Sequence, residues 1–431
     1  MGDQSFRERF QEEQDSEEDE EKGEHIDYGD PEVYQDFSDM FKAEEVKEEF
    51  FGASPPTIFV GRYGYPDVNV GVLSPVEVKQ SSELDAPPEW YDNELNIRQV
   101  ISRRSSLVNS RQKSSVHETG KFGDVAKEIA MAESPVDVEI GLDKAVDLDV
   151  SFSERYAPYG PSGNVEKVEI AENPSVPRAV EKAVSDDDWK AEGAMVHLYE
   201  KELDPHQVQR VLSAGLLGEE ENRKMVPTRW SITASDDTIG KQLREEIKTN
   251  QELGEIRYFR NEHMGNVFHV LLIPGQWEYE LVEIKGAGSV WAPGERSFVK
   301  SDHEGYGGRT TYVDETAGGY YAARLGPLEY LDQIGRQAKV LIIREVTDDY
   351  WAPLGVWVVR ETVRGAFDSS MKSEISLDRA NSESSTSDYG VVEDLKTALE
   401  NVKRQVPVDW DRIRQKSKMI GGMQSSLSQF T

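Results

Sequence analysis

The opening fifty or so residues cannot bury a core, and this sets where folding can begin. Met1 to about Phe51 is broken and acidic, with the run Glu17-Glu18-Asp19-Glu20-Glu21 at its centre. Like charges packed this closely repel, and too few apolar side chains stand between them to offset the entropy of ordering. Residues 1–52 therefore read as a disordered acidic tail. It is a solubilising segment in the plainer account and a mimic of nucleic-acid charge in the sharper one. Phe37, Met40 and Phe41 could close it with a short helix. Regular apolar patterning starts only after Pro55-Pro56.

Charge narrows the function classes. The chain of 431 residues carries 82 acidic against 49 basic residues, a net charge of −33, so no general attraction to nucleic acid is available. A role on DNA must rest on local basic patches or on recruitment by another protein. Molar salt would screen the self-repulsion, since the Debye length there is about 3 Å, and an acidic surface suits such a habitat. Cysteine is absent, which removes disulfides, thiolate metal sites and a cysteine nucleophile. With no apolar run long enough to span a bilayer and no signal peptide, the expectation is a soluble, cytoplasmic protein.

The body, residues 53–367, reads as α+β, a mixture of helices and antiparallel strands with a possible sub-boundary near residue 250. Thr57–Val60 and the alternating Val68, Val70 and Val72 predict two strands. Between them, Gly61-Arg62-Tyr63-Gly64-Tyr65-Pro66 is either a tight hairpin turn or a glycine loop cradling phosphate with help from Arg62. Helices are expected near Leu95–Val108, Phe122–Met131 and Lys190–Lys201, and strands at Val136–Ile140 and Val146–Phe152. Tyr156–Asn164 reads as a Pro/Gly loop. Asp204 is placed to cap a helix with Pro205 in its first turn. The centre, Arg223-Lys224-Met225-Val226-Pro227-Thr228-Arg229-Trp230, pairs basic and aromatic residues most densely. In an extended segment, neighbours face opposite ways. Arg229 and Trp230 then either offer a guanidinium and an indole to a nucleobase or are a surface Arg beside a packed Trp. Asp236 or Asp237 would cap a helix running to Lys248.

An antiparallel region should follow, with strands at Ile256–Phe259, Val267–Ile273 and Glu278–Ile284. Gly305–Gly308 and Gly318-Gly319 read as mobile loops, Lys339–Val346 as a buried strand and Val356–Phe367 as strand or helix. Residues 368–390 form a polar linker by composition, 391–404 an amphipathic helix through Val392, Leu395, Leu399 and Val402, and 405–431 a flexible leash. His263, His269 and His303 match no metal-ligand spacing, and no motif for a cofactor or a catalytic triad is present.

The leash ends in the heptad Gln424-Ser-Ser-Leu427-Ser-Gln-Phe430, after Lys416, Lys418 and Gly421-Gly422. A short 3₁₀ turn would set Leu427 and Phe430 on one side as a two-pronged apolar plug, with the Gln424 amide free for a pocket rim. This resembles the peptide (the PIP motif) by which replication and repair proteins bind the sliding clamp (PCNA) around DNA. Thr431 stands where a second aromatic is usual.

Longer stretches carry a second resemblance. Ile58–Pro66, Asn173-Pro174 through Val184-Ser185-Asp186, Leu212–Gly218 and Val226–Thr238 resemble the archaeal Nre DNA-repair proteins, over most of Pro55 to Trp357. The resemblance implies a DNA-repair role and clamp binding through Gln424, Leu427 and Phe430. Some members carry an N-terminal cysteine zinc finger; here an acidic tail takes its place. The acidic surplus is similar to that of salt-loving archaea. The expected protein is an accessory or adaptor brought to DNA mainly by the clamp, with other repair proteins as further partners and no membrane. The alternative is a clamp-recruited enzyme such as a metal-dependent nuclease. Arg62, Arg223, Lys224, Arg229 and Trp230 are the candidate nucleic-acid contacts, and no catalytic residue is assigned. With a net charge of −33, the isolated protein should bind duplex DNA weakly at physiological salt. Tight, salt-resistant shifts of duplex DNA in a gel titration would contradict this.

Overall fold

The computed structural model describes residues 49–75, 83–117, 120–144, 160–372 and 387–427, and these divide into two compact units between Ile239 and Gly240. The expected sub-boundary lay near residue 250. Residues 1–48, with the short helix expected at Phe37–Phe41, lie outside the described residues, as does the Val146–Phe152 segment.

The first unit runs β1 (Glu49–Ser54), β2 (Ile58–Val60), β3 (Asp67–Pro75), α1 (Pro87–Asp92), α2 (Ile97–Ser105), β4 (Leu107–Ser115), α3 (Gly120–Met131), β5 (Val136–Leu142) and β6 (Ser162–Ile170). It continues through α4 (Arg178–Ser185), α5 (Ala191–Glu200), α6 (Pro205–Ser213) and the start of α7 (Thr228–Ile247). The strands form one sheet in the order β1-β5-β6-β4-β3-β2. β1 and β2 are neighbours in sequence, yet they occupy opposite edges. Pro55-Pro56 supplies no N–H to a ladder, so the strand breaks there and restarts. The sheet curls accordingly, and Ser54 Oγ donates to the Leu73 carbonyl at 2.6 Å. Its inner face, with Val68, Val70, Val72, Val108, Val138 and Ile140, is buried. α3 packs against β2, β3, β4 and β6, with Phe122, Val125, Ala126 and Ile129 buried. α6 begins as its sequence predicts: His206 N donates to Asp204 Oδ1, and Asp204 N donates back to Gln207 Oε1.

β1 starts at Glu49, inside the span expected to be a disordered tail, and pairs with β5. Two further strands of this sheet escaped the apolar pattern. β4 takes up Val108, which the sequence assigns to a helix, and β6 starts inside the expected Pro/Gly loop. Both carry polar residues on the open face, so only one side of each strand gives a signal. α7 begins at Thr228, not at Asp236 or Asp237. The segment expected to be extended at Arg229-Trp230 is its first turn, and Asp236 is buried mid-helix.

The second unit holds β7 (Gln251–Glu252), β8 (Ile256–His263), β9 (Asn266–Ile273), β10 (Glu278–Lys285), β11 (Phe298–Glu304), α8 (Ala317–Gln333), β12 (Arg336–Gln337) and β13 (Lys339–Val346). α9 (Trp357–Lys372), β14 (Ser387–Val392), α10 (Leu395–Lys403), α11 (Trp410–Lys416) and α12 (Lys418–Leu427) follow. The main sheet is ordered β11-β10-β13-β9-β8-β14, and β7 pairs with β12 separately. β13 reads Lys-Val-Leu-Ile-Ile-Arg-Glu-Val because both its faces are covered. It enters between β9 and β10, antiparallel to the first and parallel to the second. β9 and β10 therefore do not pair with each other as an antiparallel hairpin. On one face Leu271, Val282, Ile284, Leu341 and Ile343 pack with Ala398, Val402, Ile413, Met419 and Ile420 of the last three helices. On the other, Phe259 meets Tyr330 and Phe367 of α8 and α9.

Several expectations for this unit are corrected. Gly318-Gly319 belongs to α8 rather than to a mobile loop. Val356–Phe367 resolves as helix, and the linker expected at 368–390 is shortened from both ends by α9 and β14. The leash expected from residue 405 instead forms α11 and α12, because Val406, Ile413, Met419 and Ile420 bury an apolar face between charged residues.

Burial pushes His263 down to about 4, and burial together with the Arg260 charge pushes His269 to about 4. The unfolded chain protonates near 6.5, so it takes up protons that the folded state refuses, and stability falls as pH drops from 6.5 toward 4. Between pH 7 and 5.5 the loss is about 1 kcal/mol per histidine. Burial raises Glu345, which works in the opposite direction nearer pH 4.5. In His269→Gln the fall between pH 7 and 5.5 should shrink by about 1 kcal/mol. Denaturant melts at the two pH values measure it, and an unchanged slope would refute the assignment.

Candidate functional site

The turn between β2 and β3 and the start of α7 meet in the first unit, although they lie far apart in sequence. Val60 N donates to Thr228 Oγ1 at 2.8 Å across a separation of 168 residues. Gly64, at φ +80°, reverses the chain, and Asp67 N donates to its carbonyl at 2.9 Å. This turn pushes Tyr63 and Tyr65 outward, 64% and 37% exposed. The Arg62 guanidinium lies 5.1 Å from the centre of the Tyr63 ring, and Tyr65 tilts against Trp230 at 5.8 Å. Trp230 itself is buried at 7% exposure, while Arg229 on the adjacent helical position faces solvent. The structure thus brings the turn that carries Arg62 and Tyr63 to the helix start that carries Arg229, through the contact of Tyr65 with Trp230. Such an arrangement can stack a planar ring on a tyrosine and hold an anion beside it.

Arg223 is placed differently. Its guanidinium donates to the carbonyls of Gly218, Val184 and Asp186 at 2.7, 2.8 and 2.8 Å. Asp187 lies 3.5 Å away. The side chain ties the loop after α6 to the end of α4, and this engagement leaves little for a phosphate. Lys224 is half-buried at the same loop, where its backbone passes close over Gly215.

The clamp-type heptad begins on a helix rather than on a 3₁₀ turn. The backbone of Gln424 and Leu427 lies within α12. Phe430 lies outside the described residues. The start of α12 is fixed by Glu280, a fully buried carboxylate on β10. It accepts from Ser417 Oγ at 2.6 Å, Lys418 N at 2.7 Å, Met419 N at 2.9 Å and Ser301 Oγ at 2.8 Å. A carboxylate against the first N–H groups of a helix satisfies donors that have no intrahelical partner. Nothing in the sequence marks Glu280 among 82 acidic residues; only its place on an otherwise apolar strand sets it apart.

Other carboxylates of this unit are likewise committed to internal donors. Asp302 accepts from the N–H groups of Asp314, Glu315 and Thr316 and from Thr316 Oγ1, which fixes the entry to α8. Glu304 accepts from Arg324 at 2.9 Å and Trp277 Nε1 at 3.1 Å. Glu283 pairs with Arg344 across β10 and β13. His303 meets Glu278 at 2.9 Å, and together with Lys339 it holds that carboxyl down to about 2. His269 shares a hydrogen bond with Tyr258. Among the described residues no group of three or more His, Asp or Glu is arranged to hold a metal ion.

A family model described as archaeal Nre, N-terminal, matches residues 32–292, and one described as archaeal Nre, C-terminal, matches residues 304–389. The chain belongs to the archaeal Nre family. The Nre relatives include a protein named DNA repair protein NreA from Haloferax volcanii, 42% identical over 94% of this chain and 94% of its own length. A protein named DNA repair protein NreB from Archaeoglobus fulgidus is 37% identical over 74% of this chain and 80% of its own. DNA repair protein NreA of the same organism is 39% identical over 77% and 83%. No solved structure matches the chain.

The contrast between the two central arginines of this Nre chain is measurable. Arg223→Ala strands three carbonyls and should cost about 3 kcal/mol in denaturant unfolding. Arg229→Ala, at the surface, should stay within about 0.5 kcal/mol. Equal effects would mean that the two side chains are not divided between frame and surface as described.

Proposed function

We propose that this Nre protein is a DNA-repair factor of the accessory or adaptor kind, recruited to DNA by the sliding clamp through Gln424, Leu427 and Phe430. The observation that carries the reading is the heptad Gln-x-x-Leu-x-x-Phe, led by a helix whose first turn is bonded to Glu280. That anchor gives the peptide a defined departure point on the second unit. The names of the relatives support the repair role. The commitment of Glu280, Glu283, Asp302 and Glu304 to internal donors favours an adaptor over a nuclease, because those carboxylates are not free to bind metal. The acidic surplus fits a cytoplasm of high salt, and no described helix is long and apolar enough to cross a membrane.

Burying Leu427 and Phe430 in a clamp pocket yields roughly 1.5–3 kcal/mol apiece. Ordering the segment opposes that gain, and Thr431 removes one anchor, so the expected affinity is micromolar. Titration calorimetry of the full chain against an archaeal clamp tests it. Wild type should give measurable heat, whereas Phe430→Ala and deletion of Gln424–Thr431 should give none with the melting temperature unchanged. Undetectable heat with wild type at high concentration would sink the reading.

A further inference from the structure

One sheet face of the first unit is open around the middle of β3 and β4, although Leu73 and Leu107 at its far end are buried. β3 and β4 pair so that Asn69 stands opposite Lys113 and Gly71 opposite Arg111, while β4 and β6 set Arg111 beside Asn164. Partners in register share a face. Phe59 of β2 stands opposite Gly71 and extends this row to the edge, where the turn presents Arg62 and Tyr63. Asn69, Lys113 and Asn164 are exposed and Arg111 and Phe59 half-exposed. The α3 helix lies on the other side.

Charge on this face is segregated. In the half formed by β5 and β6, the cation is neutralised: Lys167 pairs with Glu139 at 2.8 Å and Glu169 at 3.6 Å, and Glu169 is also reached at 3.4 Å by Lys121 from the start of α3. In the half formed by β3 and β4, Arg111 and Lys113 make no ion pair or side-chain hydrogen bond among the described residues. Leaving two cations unpaired is notable in a chain of net charge −33. Residues two apart on a strand repeat every ~6.6–6.8 Å, a step suited to consecutive phosphates of an extended strand. Gly71 adds a second feature. A Cβ there would come within 2.0 Å of Asn109 Oδ1, so glycine lets that amide lie across the face. Asn109 Oδ1 is buried and has no hydrogen-bond partner. Asp67 and Asp143 border the patch, Asp143 accepting from Asn164 Nδ2 at 3.3 Å.

We infer that this face is a binding track for single-stranded nucleic acid. Arg111 and Lys113 take successive phosphates, Asn69 offers its exposed amide to a base, and Tyr63, flanked by Arg62, stacks one unpaired base at the rim. A rigid duplex presents no free base face to Tyr63, so the track selects single strands. The inference goes beyond clamp recruitment and does not depend on it.

Fluorescence anisotropy of the full-length protein with a labelled oligothymidylate of about 16 nucleotides tests this at low salt. Two phosphate contacts predict a slope of log affinity against log salt of about −1.4. Arg111→Glu/Lys113→Glu should weaken binding at least tenfold and flatten that slope. Lys121→Glu/Lys167→Glu, which alters net charge equally on the neutralised half, should change it less than threefold. Tyr63→Ala should cost about tenfold with the slope retained, and all variants should melt as wild type does. Three outcomes would overturn the proposal: no binding by wild type, equal losses in the two charge-reversed doubles, or a polyglutamate peptide binding as tightly as the oligonucleotide. The last would identify an acidic polypeptide as the occupant.

Discussion

A carboxylate taken out of water persists only where donors replace its hydration, and the second unit is organised around this requirement. Glu280 faces the last three helices from β10, with Val282 and Ile284 beyond it on the same side. Asp302 and Glu304 face the opposite layer from β11, one closing the entry to α8 and the other paired with Arg324 of that helix. Side-chain alternation along two neighbouring strands thus sends fixed charges to both layers. Each carboxylate specifies a register, because sliding a helix by one residue would leave a buried charge unmatched. Hydrophobic contact supplies most of the driving force but is tolerant of such shifts. The charges set the alignment.

The first unit depends on a different constraint. Two consecutive strands split at Pro55-Pro56 must occupy opposite edges, so the sheet cannot lie flat. Curling around α3 buries most of one face, while on the other the stretch around Asn69, Arg111 and Lys113 stays open beyond the buried Leu73 and Leu107. Residues on that open stretch are under no demand from the core, and their composition can therefore serve something outside it. The same geometry draws the β2–β3 turn to the start of α7, where Val60 and Thr228 are bonded.

Legibility in the sequence followed the reach of each signal. Local chemistry was readable: the Asp204–Pro205 helix start, the apolar run of β13 and the helix through Leu395 and Leu399 all declare themselves within a few residues. Pairing was not. The insertion of β13 between β9 and β10 rests on contacts across some sixty residues, and a sequential reading defaults to a hairpin. β4 was hidden because Asn109, Arg111 and Lys113 interrupt its inward Val108 and Ser110. Charged residues around Ile413, Met419 and Ile420 made the last segment resemble a leash although its apolar face is buried. Arg62 and Trp230 were both singled out by residue type, but the approach of the Arg62 turn to Trp230 through Tyr65, and the structural engagement of Arg223, required the fold.

On the proposed reading, the acidic surplus and the two contact surfaces are parts of one arrangement. A strongly negative body repels the phosphate backbone at long range and so suppresses indiscriminate residence on duplex DNA. Binding must then come from short-range contacts that screening does not abolish: an apolar plug in a clamp pocket and base stacking on an exposed tyrosine. Neither is strong alone. Carried on one chain, the second contact forms at an effective concentration that reaches the millimolar range for short flexible connections. A micromolar plug and a similarly modest strand contact then combine only where a clamp and unpaired bases occur together. High salt sharpens this conjunction, because it weakens the phosphate contribution while leaving apolar burial intact. Recruitment would thus follow the coincidence of two features of damaged or replicating DNA and not affinity for DNA as such.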